Sequence, residues 1–184
     1  MNKFDEESEN IAGVYSISKK IFSDERGYLE RLFCATELQC WANRPIAQIN
    51  RTFTAKKGTL RGLHFQYAPY AEAKLISCLN GRVLDIALDV RKGSGTFGHI
   101  FTIELNSELR NSVLLPEGIA HGFKTLTDNV EMLYLHSQPY SKNMEGGVNI
   151  LDTKLGLKLE NSDPIISARD IKLPFLDEIK AIDL

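Results

Sequence analysis

Alternation of apolar and polar residues with a period of two is the feature of this sequence that most constrains its fold. In an extended strand, neighbouring side chains point to opposite faces, so residues two apart share a face. Residues 82–90 follow this rule, because one face carries Leu84, Ile86, Leu88 and Val90, and the other carries Val83, Asp85, Ala87 and Asp89. The two aspartates predict that the second face contacts water or a ligand.

Similar short runs, separated by Gly, Pro, Asn and Asp, predict that strands make up most of the chain. They cover residues 74–79, 99–105, 113–116 and 130–136. Between the first of these runs and residues 82–90 lies the dipeptide Asn80-Gly81. This dipeptide predicts a β-hairpin, because both residue types suit the tight turn that joins two paired strands.

Helical patterning is weak and lies outside these strands. Residues 35–41 predict a helix of about two turns with Thr36 as its N-cap, and residues 167–170 and 176–179 predict short helical pieces. Many closely spaced strands with little helix are typical of a β-sandwich or jelly roll. The 184 residues contain no internal repeat or long linker, so we expect residues 1–184 to form one all-β domain with short peripheral helices.

Charge and cysteine content exclude several classes of partner. With 22 Lys and Arg against 24 Asp and Glu, the net charge is -2, which gives no basic footprint for nucleic acid or for an anionic membrane. The cysteines Cys34, Cys40 and Cys78 are odd in number and lack metal-ligand spacing. The first residues are acidic where a signal peptide would be apolar, and no run is long enough to span a bilayer. We therefore expect a reduced, cytoplasmic protein.

The histidines are the candidates for a reactive site, and they are His64, His99, His121 and His136. A metal site would need a close His-x-His pair with a carboxylate, but His64 has no second histidine within thirty residues, so we expect no metal. Nucleophile and phosphate-loop motifs are also missing from the sequence. Acid–base chemistry remains, because histidine exchanges protons near neutral pH. His64 follows Arg61 and Gly62 closely, although a structural role is still the alternative for it.

Collinear segments across most of the chain carry a specific resemblance. They are residues 24–30, 48–50, 60–66, 74–75, 81–91, 94–98, 116–123, 133–134, 140, 145–146 and 167–170. In this order they resemble the dTDP-4-dehydrorhamnose 3,5-epimerase family over about residues 14–177. The resemblance implies a cupin jelly roll, a homodimer and no cofactor. It also implies a substrate, namely a nucleoside-diphosphate 4-keto-6-deoxy sugar.

The same resemblance implies an acid–base site of four residues. His64 would be the general base that removes a proton from C3 or C5, beside the C4 ketone, and Asp170 would orient its imidazole. Lys74 would stabilise the enolate oxygen, and Tyr134 would return a proton from the other face of the sugar. The alternative for Tyr134 is an aromatic strand residue whose hydroxyl is structural.

Substrate binding falls to a second set of residues implied by the resemblance. These are Arg61 and Arg169 for the diphosphate, Arg26, Glu30, Gln48 and Asn50 for the nucleotide, His121 and Glu145 for the sugar pocket, and Tyr140 as a stacking platform. The alternatives are a surface ion pair between Arg26 and Glu30, and turn positions for Gln48 and Asn50. Asp85 either tunes Lys74 or His64 or is a structural carboxylate.

Three departures from the family pattern concern the nucleotide and sugar pocket. Pro139 stands where an aromatic residue is usual, Leu159 where a Trp is common, and Ile49 where an Asp is usual. They leave open the nucleotide base and whether C3, C5 or both are inverted. A mono-epimerase, a ketoisomerase on the same fold and a non-catalytic sugar-nucleotide-binding protein are the alternatives. The last would not need the four acid–base residues together.

Overall fold

The computed structural model describes residues 3–159 and 164–184. Its strands, β1 to β14 in chain order, are Phe4–Ser8, Tyr15–Lys19, Ile21–Asp24, Gly27–Glu30, Gln48–Thr54, Thr59–Gln66, Lys74–Asn80, Arg82–Asp89, Ile100–Asn106, Ser112–Leu115, Ile119–Thr125, Val130–His136, Glu145–Gly147 and Ile165–Ile166. The first sheet has the order β1-β2-β10-β7-β12-β5, and the second has the order β13-β6-β11-β8-β9, with β14 added beside β6. A small hairpin of β3 and β4 stands apart. The predicted all-β sandwich is confirmed.

Both sheets carry apolar clusters on both faces. One apolar cluster lies between them and combines Ile76, Val113 and Met132 from the first sheet with Val83 and Phe123 from the second. Further clusters cover the outer faces, and they join Leu38 and Trp41 to the first sheet and Val148, Ile150 and Ile182 to the second. Burial of apolar surface on all four faces is the main favourable term that holds the two layers together.

The polar face of β8 is buried, so the expectation that it contacts water or a ligand was wrong as regards water. Asp85 and Asp89 point into the sandwich and are 1% and 0% exposed. Asp89 accepts hydrogen bonds from Arg91 at 2.7 Å and from the hydroxyls of Ser94 and Thr96, both at 2.6 Å. Burial would raise the pKa of Asp89, but these hydrogen bonds lower it to about 2, so the carboxylate stays ionised. The buried charge is tolerated because both oxygens of the Asp89 carboxylate accept hydrogen bonds.

The predicted hairpin at Asn80-Gly81 was also wrong. Strand β7 lies in the first sheet between β10 and β12, whereas β8 lies in the second between β11 and β9. The turn therefore carries the chain from one sheet to the other instead of pairing its flanking strands. Asn80 donates a side-chain hydrogen bond to the Asn129 carbonyl at 2.6 Å, which ties the turn to the connection that precedes β12.

Helical structure in the described residues is limited to single 3₁₀ turns, and no helix there could cross a membrane. The predicted two-turn helix over 35–41 is a single turn at Gln39–Trp41. Its N-cap position is Leu38 and not Thr36, because the segment is shaped by packing Leu38 and Trp41 onto the first sheet. The C-terminal pieces are the turns Asp170–Lys172 and Leu176–Glu178.

Strand β6 contains an extra residue opposite β11. Arg61 pairs with Phe123 and His64 pairs with His121, so β6 advances three residues where β11 advances two. Side chains three apart in a regular strand point to opposite faces, but a β-bulge shifts the alternation by one residue. Arg61 and His64 therefore face the same side of the second sheet.

Gly62 lies inside this bulge and allows two strands to approach closely. Its φ is +104°, a conformation that L-residues with a side chain rarely adopt. A Cβ added there would lie 2.6 Å from Gly122 Cα and 2.6 Å from the His121 carbonyl oxygen. These atoms belong to the backbone and cannot swing away, so only glycine fits at this position.

We predict that Gly62→Ala lowers the free energy of unfolding by roughly 2–4 kcal/mol, because it combines the cost of positive φ with overpacking against backbone atoms. Urea unfolding followed by circular dichroism measures this difference. Gly95→Ala is the matched control, since no atom lies within 4 Å of a Cβ at that position. It should change stability by less than about 0.5 kcal/mol. Equal stability of the two variants would contradict the prediction.

Candidate active site

A cavity of about 640 Å³ opens between the two sheets. Its size is in the range of sites that hold small molecules. Most of the residues predicted to act on a substrate line it: Gln48, Asn50, Arg61, His64, Lys74, His121, Tyr134, Tyr140, Glu145, Arg169 and Asp170. The sandwich thus brings together eleven residues that lie far apart in the sequence, from Gln48 to Asp170.

His64 and Asp170 form a hydrogen-bonded pair in this cavity. His64 Nε2 lies 2.8 Å from Asp170 Oδ1, and the backbone N–H of Gly62 donates to Asp170 Oδ2 at 3.3 Å. Burial would raise the pKa of Asp170, but the contacts with His64 and Gly62 hold it below its usual value. The carboxylate therefore fixes the orientation of the His64 ring and leaves its other ring nitrogen for a group in the cavity.

Lys74 and Tyr134 reach the cavity from the first sheet, opposite His64. Lys74 Nζ donates to the His64 carbonyl at 3.0 Å and so links β7 to β6. The Tyr134 ring is 8% exposed and lies edge-on to the His121 ring at 5.9 Å between centroids. Burial raises the pKa of Tyr134 above its usual value, and the nearby Asp85 charge adds to this effect. The phenol therefore keeps its proton at neutral pH.

Asp85 forms a second histidine–carboxylate pair, with His121. The distance from His121 Nε2 to Asp85 Oδ2 is 2.8 Å, and both side chains are buried. His121 lines the cavity, and Asp85 lies behind it. Asp85 contacts neither Lys74 nor His64 directly, and its side-chain partner is His121.

Two arginines lie where the cavity opens to solvent. The side chains of Arg61 and Arg169 both line the cavity, and both residues are exposed. Arg169 pairs with Glu145, which also accepts a hydrogen bond from the Tyr140 hydroxyl at 2.9 Å. Gln48 accepts a hydrogen bond from the Tyr140 backbone N–H at 3.0 Å. This end of the cavity therefore offers cationic and hydrogen-bonding groups together.

Gln48 and Asn50 lie in strand β5, so the alternative that placed them in turns was wrong. Strand β5 is an edge strand of the first sheet, and both side chains line the cavity. Asn50 Nδ2 lies 3.5 Å from His136 Nε2. Residues two apart in a strand face the same side of the sheet, which is why Gln48 and Asn50 reach the same cavity.

Arg26 and Glu30 do not line this cavity. Both lie on the β3–β4 hairpin, where Arg26 pairs with Asp24 and its side chain is 84% exposed. Glu30 accepts a hydrogen bond from Lys19 Nζ at 2.9 Å. The two residues therefore do not pair with each other, which was the alternative drawn from the sequence.

Two cavity residues that the sequence interpretation missed are Glu72 and His136. Glu72 Oε1 lies 3.0 Å from Lys74 Nζ. Burial and the Lys74 charge lower the pKa of His136 to about 4, so this imidazole is neutral at neutral pH. Neither residue carries a signal in the sequence that singles it out, because Glu72 lies before the alternating run of β7 and His136 is the last residue of β12.

No group of three or more His, Cys, Asp or Glu side chains that could hold a metal ion occurs in residues 3–159 and 164–184.

Comparison with known proteins gives the family. A sequence profile of the dTDP-4-dehydrorhamnose 3,5-epimerase family matches residues 8–178. The dTDP-4-dehydrorhamnose 3,5-epimerase of Shigella flexneri is 36% identical over 162 residues, which are 88% of this chain and 90% of that protein. The dTDP-4-dehydro-6-deoxyglucose 3-epimerase of Streptomyces bikiniensis is 34% identical over 178 residues, which are 95% of this chain and 90% of that protein.

A solved structure agrees with these sequence matches. The dTDP-6-deoxy-D-glucose-3,5-epimerase of Legionella pneumophila, crystallised with dTDP-4-keto-L-rhamnose, has a TM-score of 0.90 at 31% identity. The match covers 97% of this chain and 95% of that one. The predicted cupin-type fold is confirmed, and the matched region contains every residue that lines the cavity. This chain belongs to the dTDP-4-dehydrorhamnose 3,5-epimerase family of sugar-nucleotide isomerases.

Proposed function

We propose that this protein epimerises C3, C5 or both carbons of a dTDP-linked 4-keto-6-deoxy sugar in deoxysugar biosynthesis. The observation that carries the proposal is the placement of base and acid on opposite sheets. His64, with Asp170 behind it, faces the cavity from β6 in the second sheet, and Tyr134 faces it from β12 in the first. A sugar ring between the sheets would have one of these groups on each of its faces.

Proton removal is the first step of the proposed reaction. The free ring nitrogen of His64 takes a proton from the carbon beside the C4 ketone, and the electron pair of that C–H bond moves to give an enolate. Asp170 stabilises the imidazolium that forms, as an orienting carboxylate does in other acid–base pairs. Lys74 donates a hydrogen bond to the C4 oxygen, where the negative charge develops.

Proton return completes the inversion. The Tyr134 hydroxyl gives its proton to the same carbon from the other face, and the enolate electrons form the new C–H bond. A phenol is a weak acid, but an enolate is basic enough to take its proton. The cycle closes when the phenolate takes up a proton and His64 releases one.

Binding of the diphosphate would fall to Arg61 and Arg169, whose guanidinium groups match phosphate oxygens through charge-assisted hydrogen bonds. Glu145 pairs with Arg169 and would give way to the more strongly charged diphosphate. The Legionella relative was crystallised with a dTDP-linked keto sugar, which supports thymine as the base here.

Inversion of a single carbon is the second candidate. The Streptomyces bikiniensis relative is a 3-epimerase, and it is almost as similar to this chain as the Shigella 3,5-epimerase is. The same base and acid serve either reaction, so the difference lies in which carbon they reach.

We also propose that the protein is a homodimer in which the β3–β4 hairpin packs on the partner. The hairpin exposes three large apolar side chains, those of Phe22, Tyr28 and Leu29. Strand β5 at one end of the first sheet exposes Ile49 and Phe53. Exposed apolar groups of this kind mark interaction surfaces. In such a dimer, Arg26 would approach the cavity of the partner chain.

Incubation of the protein with dTDP-4-keto-6-deoxyglucose in heavy water should place deuterium at C3, C5 or both, and NMR locates it. Label at both carbons supports the 3,5-epimerase, and label at one carbon supports the mono-epimerase. His64→Ala should lower exchange by at least about 10³-fold, since it removes the base. No exchange by the wild-type protein above the uncatalysed rate would refute the proposed function.

Tyr134→Phe should separate exchange from inversion. His64 still removes the proton in this variant, but the opposite face lacks its donor, so deuterium returns to the original face. We expect inversion to fall by about 10²-fold or more while exchange and dTDP binding change much less. Proton NMR of the C3 and C5 couplings measures inversion. Loss of both processes to the same degree would assign Tyr134 a role other than the acid.

A mixing experiment tests the dimer and the place of Arg26. We expect Arg26→Ala and His64→Ala to be weakly active alone and to regain activity when they are mixed, because one cavity in each mixed dimer then has both residues. The theoretical maximum is about a quarter of the wild-type rate for random pairing of equal amounts. Analytical ultracentrifugation checks the dimer itself. Monomeric protein, or a mixture no more active than its components, would refute this arrangement.

A further inference from the structure

The ammonium group of Lys74 is buried and has two protein acceptors. Lys74 is 6% exposed, and its Nζ donates to the His64 carbonyl and to Glu72 Oε1, both at 3.0 Å. An ammonium has three N–H donors. Within the part of the chain that the structure describes, these contacts occupy two of them, and the third is available to an oxygen in the cavity.

Glu72 is itself held in place. It is 7% exposed, and its Oε2 accepts a hydrogen bond from Gln66 Nε2 at 2.9 Å. The Gln66 amide is fixed in turn, because its Oε1 accepts from the Ser141 backbone N–H at 2.6 Å and its Nε2 also contacts the Tyr70 carbonyl at 2.9 Å. The carboxylate position is therefore set by a chain of hydrogen bonds and not by the lysine alone.

A buried ammonium needs a negative partner to stay charged, since desolvation favours its neutral form. The titratable groups that face Lys74 from other strands are His64 on β6 and His136 and Tyr134 on β12. His136 and Tyr134 are neutral at neutral pH for the reasons given above, and the His64 contact is through its carbonyl. Glu72 is the carboxylate that contacts Lys74.

We propose that Glu72 is a positioning residue for the epimerase reaction. Its carboxylate holds Nζ of Lys74 at the place where the enolate oxygen forms. The catalytic part of this statement rests on the function proposed above. Glu72 touches no reacting atom, so its removal should weaken stabilisation of the enolate and leave binding of the nucleotide nearly unchanged.

Glu72→Gln tests the charge, because glutamine keeps the shape and one acceptor oxygen. We expect kcat to fall on the order of 10-fold or more, with KM changed by less than about threefold. Glu72→Asp keeps the charge and should retain more activity than E72Q. Glu104→Gln is the matched control, because Glu104 pairs with Arg82 at the surface at 3.4 Å and should leave kcat unchanged. Equal losses in E72Q and E72D would overturn the proposal.

A second measurement does not depend on activity. NMR of lysines labelled with ¹³C at Cε, with Lys74 assigned by its loss in Lys74→Met, reports directly on the surroundings of this ammonium. In E72Q the Lys74 resonance should shift, because the carboxylate that holds the ammonium is gone, and it should stay in place in E104Q; an unchanged Lys74 resonance in E72Q would overturn the proposal. If the wild type turns over no nucleotide sugar, the reaction assignment fails, and this resonance alone decides whether Glu72 positions Lys74.

Discussion

The extra residue in β6 is the constraint on which the rest of the site depends. Without it, Arg61 and His64 would lie on opposite faces of the second sheet, and only one of them could reach the cavity. The close approach of Gly62 to Gly122 makes the extra residue possible, because no side chain separates the two strands there. A local feature of one strand thus places the proposed base and a proposed phosphate ligand in the same cavity.

Paired charges inside the sandwich are the second condition. Three buried carboxylates each contact the nitrogen of a basic side chain, in the pairs Asp170 with His64, Asp85 with His121, and Glu72 with Lys74. An unpaired charge at any of these places would be costly, since desolvation is not compensated. The pairs also differ in what they hold, because Asp170 fixes the orientation of the His64 imidazole while Glu72 contacts the Lys74 ammonium. The interior can therefore carry the charged groups that acid–base chemistry needs and remain stable.

Much of the fold could be predicted from the sequence, because period-two alternation is a local property. The alternating runs located β8 and β12 to within one residue and predicted the sandwich. It failed where the outcome depends on distant parts of the chain. The turn at Gly81 looks like that of a hairpin, but β10 and β12 pair with β7 and leave β8 to the other sheet. The residues of the site came from the family resemblance, while the burial of Asp85 and the presence of Glu72 and His136 required the structure.

The positions of the proposed base and the proposed acid bear on how one site could invert two carbons. In a 4-keto-6-deoxy hexose with the gluco configuration, the hydrogens on C3 and C5 lie on the same face of the ring, on either side of the ketone. A single base on one sheet, such as the proposed His64, can therefore reach either hydrogen if the ring shifts within the cavity, and Lys74 would contact the C4 oxygen that both steps share. The proposed acid must then serve both carbons from the opposite sheet. Tyr134 is packed between His121 and His136, at 5.9 and 6.0 Å between ring centroids, which favours movement of the sugar over movement of the phenol. Whether C3, C5 or both are inverted is therefore a question of how far the cavity lets the ring shift between two fixed groups.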